Sequence, residues 1–301
     1  MAAPMIPAAK TASPRRLLMQ RFAESPLAVL GLGTLLLLLG FAALAPWVAP
    51  QNPYDIGALE IFDSQLPPGS VSEFTGTTYW LGTDGQARDV LSAMLYGVRT
   101  SLIVAVTSVL GALLIGTTIG MVAAYIGGWV DAVLMRIVDL QLSFPAILVA
   151  LVLLSVLGQG VDKVILALVI VQWAYFARTA RSTAMVERNR EYVLAARCLN
   201  LGSRRIIFRH MLPNCLPPLI VIATIDLAHA IAAEATLSFL GIGVPVTEPS
   251  LGMLIANGFE FMMSGQYWIS FFPGMALALL ILAINLVGDH LRDILNPRNA
   301  Q

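Results

Sequence analysis

Charge is what this chain has least of. Asp, Glu, Lys and Arg supply 12% of its 301 residues, about half the share carried by a soluble domain, and that deficit excludes a water-exposed globular fold. Cysteine is nearly absent: Cys198 and Cys215 are the only two, too few for a disulfide framework. Both fall in one basic loop expected in a reducing compartment, so free thiols are expected. No G-x-x-x-x-G-K-[ST] run occurs, which removes a phosphate-cradling loop of the chain's own. H-E-x-x-H and C-x-x-C are missing too, and the spacing of Cys198, His210 and Cys215 fits no common zinc site. His210, His229 and His290 are scattered with no nucleophile beside them. A non-catalytic chain is therefore expected, with no cofactor, no metal and no nucleic-acid partner.

What fills the sequence instead is long apolar runs. Hydrophobic residues make up 57% of the chain and mean hydropathy is +0.79. Six runs can each cover a hydrocarbon core of about 30 Å, which takes roughly 20 helical residues: 27–48, 101–126, 140–157, 164–180, 216–240 and 271–287. Runs this long show no alternation suited to a barrel, so an all-α polytopic membrane protein with six transmembrane helices is expected. The first run exceeds the 7–15 residues of a signal-peptide core, and its "AALA" is followed at once by Pro46, so it reads as a retained helix.

Basic residues set the orientation. They precede the first run (Lys10, Arg15, Arg16, Arg21), crowd between the fourth and fifth (Arg178 to Arg209) and follow the sixth (Arg292, Arg298). Arg88, Arg99 and Lys163 alone fall on the other side, so both termini are expected to be cytoplasmic. The organisation that follows is a cytoplasmic tail 1–26, a first transmembrane helix 27–48 and an outer segment 49–100. After these come a five-helix core 101–292 with a cytoplasmic loop 182–215, and a tail 293–301. In the outer segment Val90, Leu91, Met94, Leu95 and Val98 recur at helical spacing, and Tyr79 and Trp80 suit an interface belt. A second outer segment, 243–270, lacks Lys and Arg.

The loop between the fourth and fifth runs holds "REYVLAARCLNLGSRR". Tyr192, Ala195, Ala196 and Leu199 share one face of a helix from Glu191. The two alanines leave a shallow surface that another helix-bearing protein can approach closely. Asn200 and Gly202 tolerate left-handed backbone and stop the helix, and Pro217 and Pro218 suit the first turn of the next span. An amphipathic helix held to anionic lipid by arginines fits the same composition, and the residues alone leave both open. Within the fifth run Asp226, His229 and Glu234 occupy one broad helical sector, and Asn285 lies in the sixth. Intramembrane charge faces a bundle interior or a watery cavity. A polar path for a zwitterionic peptide and a structural polar cluster are both compatible with it.

The stretch "EYVLAARCLNLGSRRIIFRHMLPN" resembles the cytoplasmic EAA loop of ABC importer permeases, in particular those of the dipeptide/oligopeptide/nickel group. "LGTDGQARDVLSAMLYGVRTSL", "VDLQLSFPAILVALVLL", "EATLSFLGIGVP" with "PSLGMLIANG", and "PGMALALLILAINLVGDHLRDILNPR" are similar to further segments of that family, in the same order. The long outer loop after the first span resembles that of the C-type partner of the two permeases. Two positions depart from the pattern: Asn200 and Ala87 stand where the family has glycine.

The resemblance implies a type I ABC importer permease fold in a bacterial or archaeal plasma membrane. It implies a second permease subunit, two ATP-binding subunits that hold ATP and magnesium, an extracytoplasmic substrate-binding protein and a peptide substrate. Nickel chelates and glutathione are carried by similar permeases. It makes 191–201 the coupling helix, with Glu191, Tyr192, Ala195, Ala196, Arg197, Leu199, Asn200 and Gly202 at the ATPase. Ala195 and Ala196 would form the contact face, Tyr192 and Leu199 would fill flanking pockets and Arg197 would meet acidic rim groups. Asp226, His229, Glu234 and Asn285 would line the translocation path. The segments 84–89 and 243–266 would receive the binding protein. A secondary transporter remains the rival class, though inverted repeats and broken helices are not evident in the sequence.

Overall fold

The computed structural model describes residues 20–295, apart from 56 and 58. Of the expected tails, residues 1–19 and 296–301 lie outside that range. The first long helix, α1 (Pro26–Val48), starts at Ser25, whose hydroxyl accepts from the Ala28 amide, with proline at the first helical position. That position loses nothing by lacking an N–H. A small hairpin follows, β1 (Ser70–Val71) antiparallel to β2 (Thr78–Tyr79). The next helix, α2 (Val90–Ile126), runs 37 residues, about 55 Å at 1.5 Å per residue. The amphipathic stretch from Val90 and the expected second span are thus one continuous helix, begun by the Asp89 carboxylate accepting from the Ser92 amide at 2.8 Å.

The third span is where the sequence reading fails. In place of one helix over 140–157 there are two, α3 (Gly128–Ser143) and α4 (Ala146–Leu157), bent by 88°. Pro145 is the cause: its ring drives the preceding residue out of helical backbone, and Phe144 sits at φ −95°, ψ 142°. At 12 residues, α4 is about 18 Å long and cannot cross the hydrocarbon core unaided. Among the described residues five helices are long and apolar enough to cross, or six if the bent pair makes one span.

Helix α5 (Val161–Glu187) extends beyond its expected run at both ends. After the short α6 (Glu191–Cys198), residues Ser203–Arg205 and a π-helical turn, Ile206–Met211, lead without a break into α7 (Leu212–Phe239). The fifth span therefore does not begin at its prolines: Pro217 and Pro218 lie inside it. Each proline removes one backbone donor, and the π turn is the kind of local widening that accompanies such interruptions. Helices α8 (Leu251–Phe259) and α9 (Trp268–Leu295) complete the described residues.

Small residues set the closest packing. A methyl group at Gly116 or Gly120 of α2 would collide with the backbone of Trp173 and Ala177 on α5. Ala177, Ala180 and Ala184 of α5 are fully buried. With no hydrophobic drive between helices in lipid, close backbone approach of this kind holds them together.

At the end opposite the arginines, residues 49–89 and 240–267 form one cap. Arg88 Nη1 donates to the Val246 carbonyl at 3.2 Å, Trp268 Nε1 to the Thr83 carbonyl at 3.3 Å and Gln266 to Gln65 at 2.9 Å. Tyr79 is not a belt residue: it is buried, donating its hydroxyl to Asp63 at 2.9 Å, whereas Trp80 is exposed.

Candidate functional site

The arginine-rich end is built around α6. Its eight residues begin after Arg190, which is extended at φ −73°, ψ 147°, and end in a left-handed residue, Asn200, at φ 51°. The Asn200 amide donates to the Arg197 carbonyl at 2.9 Å and the Leu201 amide to the Ala196 carbonyl at 3.1 Å. That pair of bonds is a Schellman stop, for which asparagine is the best non-glycine residue. Gly202 plays a different part from the one expected: its φ is −60°, and it precedes the turn from Ser203 rather than supplying left-handed backbone.

The helix has two faces, and they divide the expected contact residues. Val193 and Ala196 are buried, 0% and 4% exposed, in the chain's own core. Glu191, Tyr192, Leu194, Ala195, Arg197, Cys198 and Leu199 are exposed. The two alanines therefore do not form one outward surface. Ala196 seats the helix on its own protein, and the outward ridge is Tyr192, Ala195 and Leu199, at i, i+3 and i+7.

Three contacts tie this helix to three others, and a fourth joins two of those others to each other. The Tyr192 hydroxyl donates to Glu187 Oε2 of α5 at 2.5 Å and accepts from Asn214 Nδ2 of α7 at 3.0 Å. Burial, reinforced by the bond to Glu187, pushes the Tyr192 phenol up to about 12. The Arg197 guanidinium lies over the Tyr125 ring of α2, 4.8 Å from its centre, so it is held by its own chain. Arg188, just past α5, donates to the Ala124 carbonyl at 2.8 Å and satisfies a free acceptor at the end of α2. The thiols of Cys198 and Cys215 are free, one exposed and one buried.

Midway along α5 and α7, a cavity of about 350 Å³ opens between these helices and α4. Asp226 and His229 line it, with His229 Nδ1 3.7 Å from Asp226 Oδ1. Gln172 and Tyr175 face them from α5, and Ala146 and Ala150 from α4. Glu234 is elsewhere. Its fully buried carboxylate takes hydrogen bonds from Ser101 of α2 at 2.7 Å and Ser238 at 2.8 Å, so it pins α7 to α2. Asn285 is exposed on α9 and is not among the cavity's lining residues. Two of the four expected path residues thus come together.

Of Asp84 to Asp89, expected to be a docking surface, Gly85 and Gln86 are exposed, whereas the charged side chains are interior. Asp84, Arg88 and Asp89 are each 1% exposed. Asp84 accepts from the Gln86 and Arg88 amides and pairs with the Arg88 side chain at 2.7 Å. Ala87 takes the left-handed φ of 61° that glycine would take more readily. Exposed apolar side chains at this end include Ile61, Phe62, Phe74, Trp80 and Met263, of which the sequence marked Trp80 alone.

Comparison with known proteins decides the family. Residues 116–301 match the model described as the binding-protein-dependent transport system inner membrane component, and residues 13–68 match the N-terminal TM domain of oligopeptide transport permease C. A di/tripeptide transport system permease protein DppC of Pseudomonas aeruginosa is 37% identical, over 95% of this chain and 93% of that protein. The chain belongs to the binding-protein-dependent inner-membrane permeases.

Other permeases agree. The dipeptide transport system permease protein DppC of Haemophilus influenzae is 36% identical over 93% of each chain, and that of Alkalihalophilus pseudofirmus is 34% identical over 95% of this chain and 90% of its own. Among solved structures, an inward-facing MetNI methionine ABC transporter superposes with a TM-score of 0.55 at 18% identity, covering 68% of this chain and 97% of that one. The fold is that of a type I ABC importer permease, and the permease is a multi-pass inner-membrane transport subunit.

Proposed function

We propose that this permease passes di- or oligopeptides across the membrane, half of a path completed by a second permease, and that it draws motion from an ATPase through α6. Both termini and α6 lie on the cytoplasmic side in this reading, in keeping with the distribution of arginine and lysine. ATP and magnesium belong to two partner ATPases, and a binding protein delivers peptide to the cap at the other end. The permease itself makes and breaks no bonds.

One observation carries the coupling role. The Tyr192–Ala195–Leu199 ridge is exposed outside the spanning helices while its back is locked to α2, α5 and α7 through Tyr125, Glu187 and Asn214. A ridge mounted this way transmits a displacement to three helices at once, as a switch between two rigid arrangements requires. The ATPase must contact it differently in the two states, since equal affinity shifts nothing. The cavity between α4, α5 and α7 then changes access as α5 and α7 move.

The test is peptide-stimulated ATP hydrolysis and uptake of a labelled dipeptide by the reconstituted complex. Ala195→Trp should abolish both while the permease stays in the membrane. Ala196→Asp should instead lower the amount of folded permease, because it buries a charge in the chain's own core. Normal uptake by Ala195→Trp would remove the coupling role, and no dipeptide uptake by the wild-type complex would remove the peptide reading.

A further inference from the structure

The cavity between α4, α5 and α7 has a polarity of its own. Aliphatic side chains make up most of its wall, among them Ile147, Leu168 and Val171. Two of its polar lining groups are buried and incompletely satisfied. Gln172 and Asp226 are 6% and 8% exposed, and Gln172 Oε1 and Asp226 Oδ2 have no hydrogen-bond partner. Both are acceptors. Buried polar oxygens are nearly always paired, and leaving one unpaired costs about 1–3 kcal/mol, more for a charged group. The lining contains neither Lys nor Arg, and His229 alone there can carry positive charge.

An apolar pocket with a carboxylate and an amide oxygen suits the end of a molecule that brings N–H donors, positive charge and a hydrocarbon body. It suits a carboxylate less well, since that group would face Asp226 with only His229, already 3.7 Å from Asp226 Oδ1, to offset it. Since the reading as a peptide permease supplies a zwitterion, the pocket discriminates between its two ends. We infer that this cavity is a binding subsite for the protonated α-amine of the transported peptide. Asp226 forms the ion pair, Gln172 Oε1 accepts a second N–H, and the aliphatic wall takes the first side chain. The inference rests on the peptide reading and adds which end of the substrate the permease grips, and with which residues.

The experiment uses the assembled permease–ATPase complex in nanodiscs, without binding protein, carrying Ala233→Cys at the cavity wall. Modification of residue 233 by neutral methyl methanethiosulfonate is followed by mass spectrometry. Dialanine, at ten times its dissociation constant, should slow modification about tenfold by mass action. N-acetyl-dialanine and methylammonium at the same concentration should not. Adding Asp226→Asn should raise the dialanine concentration needed by about tenfold or more, as expected for removing one partner of a buried charge pair, and Asp226→Glu should recover part of the loss.

Equal protection by N-acetyl-dialanine would overturn recognition of the amine. Protection by methylammonium as strong as by dialanine would make this a general cation site and overturn recognition of a peptide. No protection by dialanine, in a complex that imports dialanine when the binding protein is added, would remove the cavity from the path and leave the peptide reading standing. Failure of that same complex to import any peptide would bring down the reading beneath it.

Discussion

At the capped end of the bundle Arg88 and Asp84 pair at 2.7 Å with side chains 2% and 1% exposed, whereas near the arginine-rich end Arg178 and Asp139 pair at 2.6 Å with both side chains 56% exposed. The distances are alike and the surroundings are not. In the first pair each charge depends on the other, because water cannot replace a lost partner. In the second, water replaces it at little cost. The Arg88–Asp84 contact of the cap thus cannot be exchanged for water, and the Arg178–Asp139 contact near the arginine-rich end can. Under the proposed coupling role, that is the difference between a fixed platform and a handle that must alter its surroundings during a cycle.

The comparison breaks most directly at Arg88. Arg88→Ala strands the Asp84 carboxylate in a dry site and frees the Val246 carbonyl, and breaking a buried pair from one side costs about 3–5 kcal/mol. Thermal unfolding of the detergent-solubilised permease should show the loss. Arg88→Lys should recover only part, since an ammonium lacks the planar fork that reaches both Asp84 and Val246. If Arg88→Ala melted within about 1 kcal/mol of wild type, in the range of an exposed pair, the contrast between the two ends would disappear.

The second effect is at the handle's stop. Asn200 holds φ at 51°, and a β-branched residue in left-handed backbone costs about 1–2 kcal/mol. Asn200→Val should raise hydrogen exchange at the Leu201 amide, whose bond to Ala196 closes α6, by about tenfold per 1.4 kcal/mol. Asn200→Gly should leave it unchanged or slower. Equal exchange in all three would mean that packing of Val193 and Ala196, and not the Schellman turn, sets the end of the helix.

Asn200 also marks what was legible in the sequence. Its backbone role could be read because left-handed tolerance belongs to the residue itself, and the five unbroken spans could be read because length and apolarity are local. The face of α6 that meets the rest of the chain could not. Eight residues with small or apolar side chains on both sides define a helix but not its inward face, so Ala196 and Ala195 looked equivalent. Asp226 and Glu234 looked equivalent for a similar reason. What separates them is Ser101, which lies 133 residues from Glu234 in the chain and satisfies it, while nothing satisfies Asp226 Oδ2. Pro145 was visible, but the apolar run around it argued for one span and outweighed the restriction that a proline puts on the residue before it.

A third, smaller effect tests the exchangeable side. Arg178→Asp or Asp139→Arg alone should change stability by no more than about 1 kcal/mol, and the swapped double variant should return to wild type. A single change beyond about 2 kcal/mol would place this pair with the buried ones and make α3 as fixed against α5 as the cap is.

The smallest effect is a titration. Tyr192 ionises at about 12 in the folded permease against 10.0 when unperturbed, through burial first and its bond to Glu187 second. Between those values the folded state keeps a proton that the unfolded chain has released. The contribution of this contact is therefore complete below pH 10 and falls as pH rises from 10 to 12. Because the side chain is 37% exposed, water screens much of it and the loss in stability stays small. The tyrosinate absorbance of wild type minus that of Tyr192→Phe should rise with a midpoint near 12 in the native complex and near 10 in denaturant. Glu187→Gln should move the native midpoint only part of the way down, since burial remains. A native midpoint at 10 would mean that Tyr192 does not hold α6 to α5, and the handle would then hang on Arg197 over Tyr125 and the two core residues behind it.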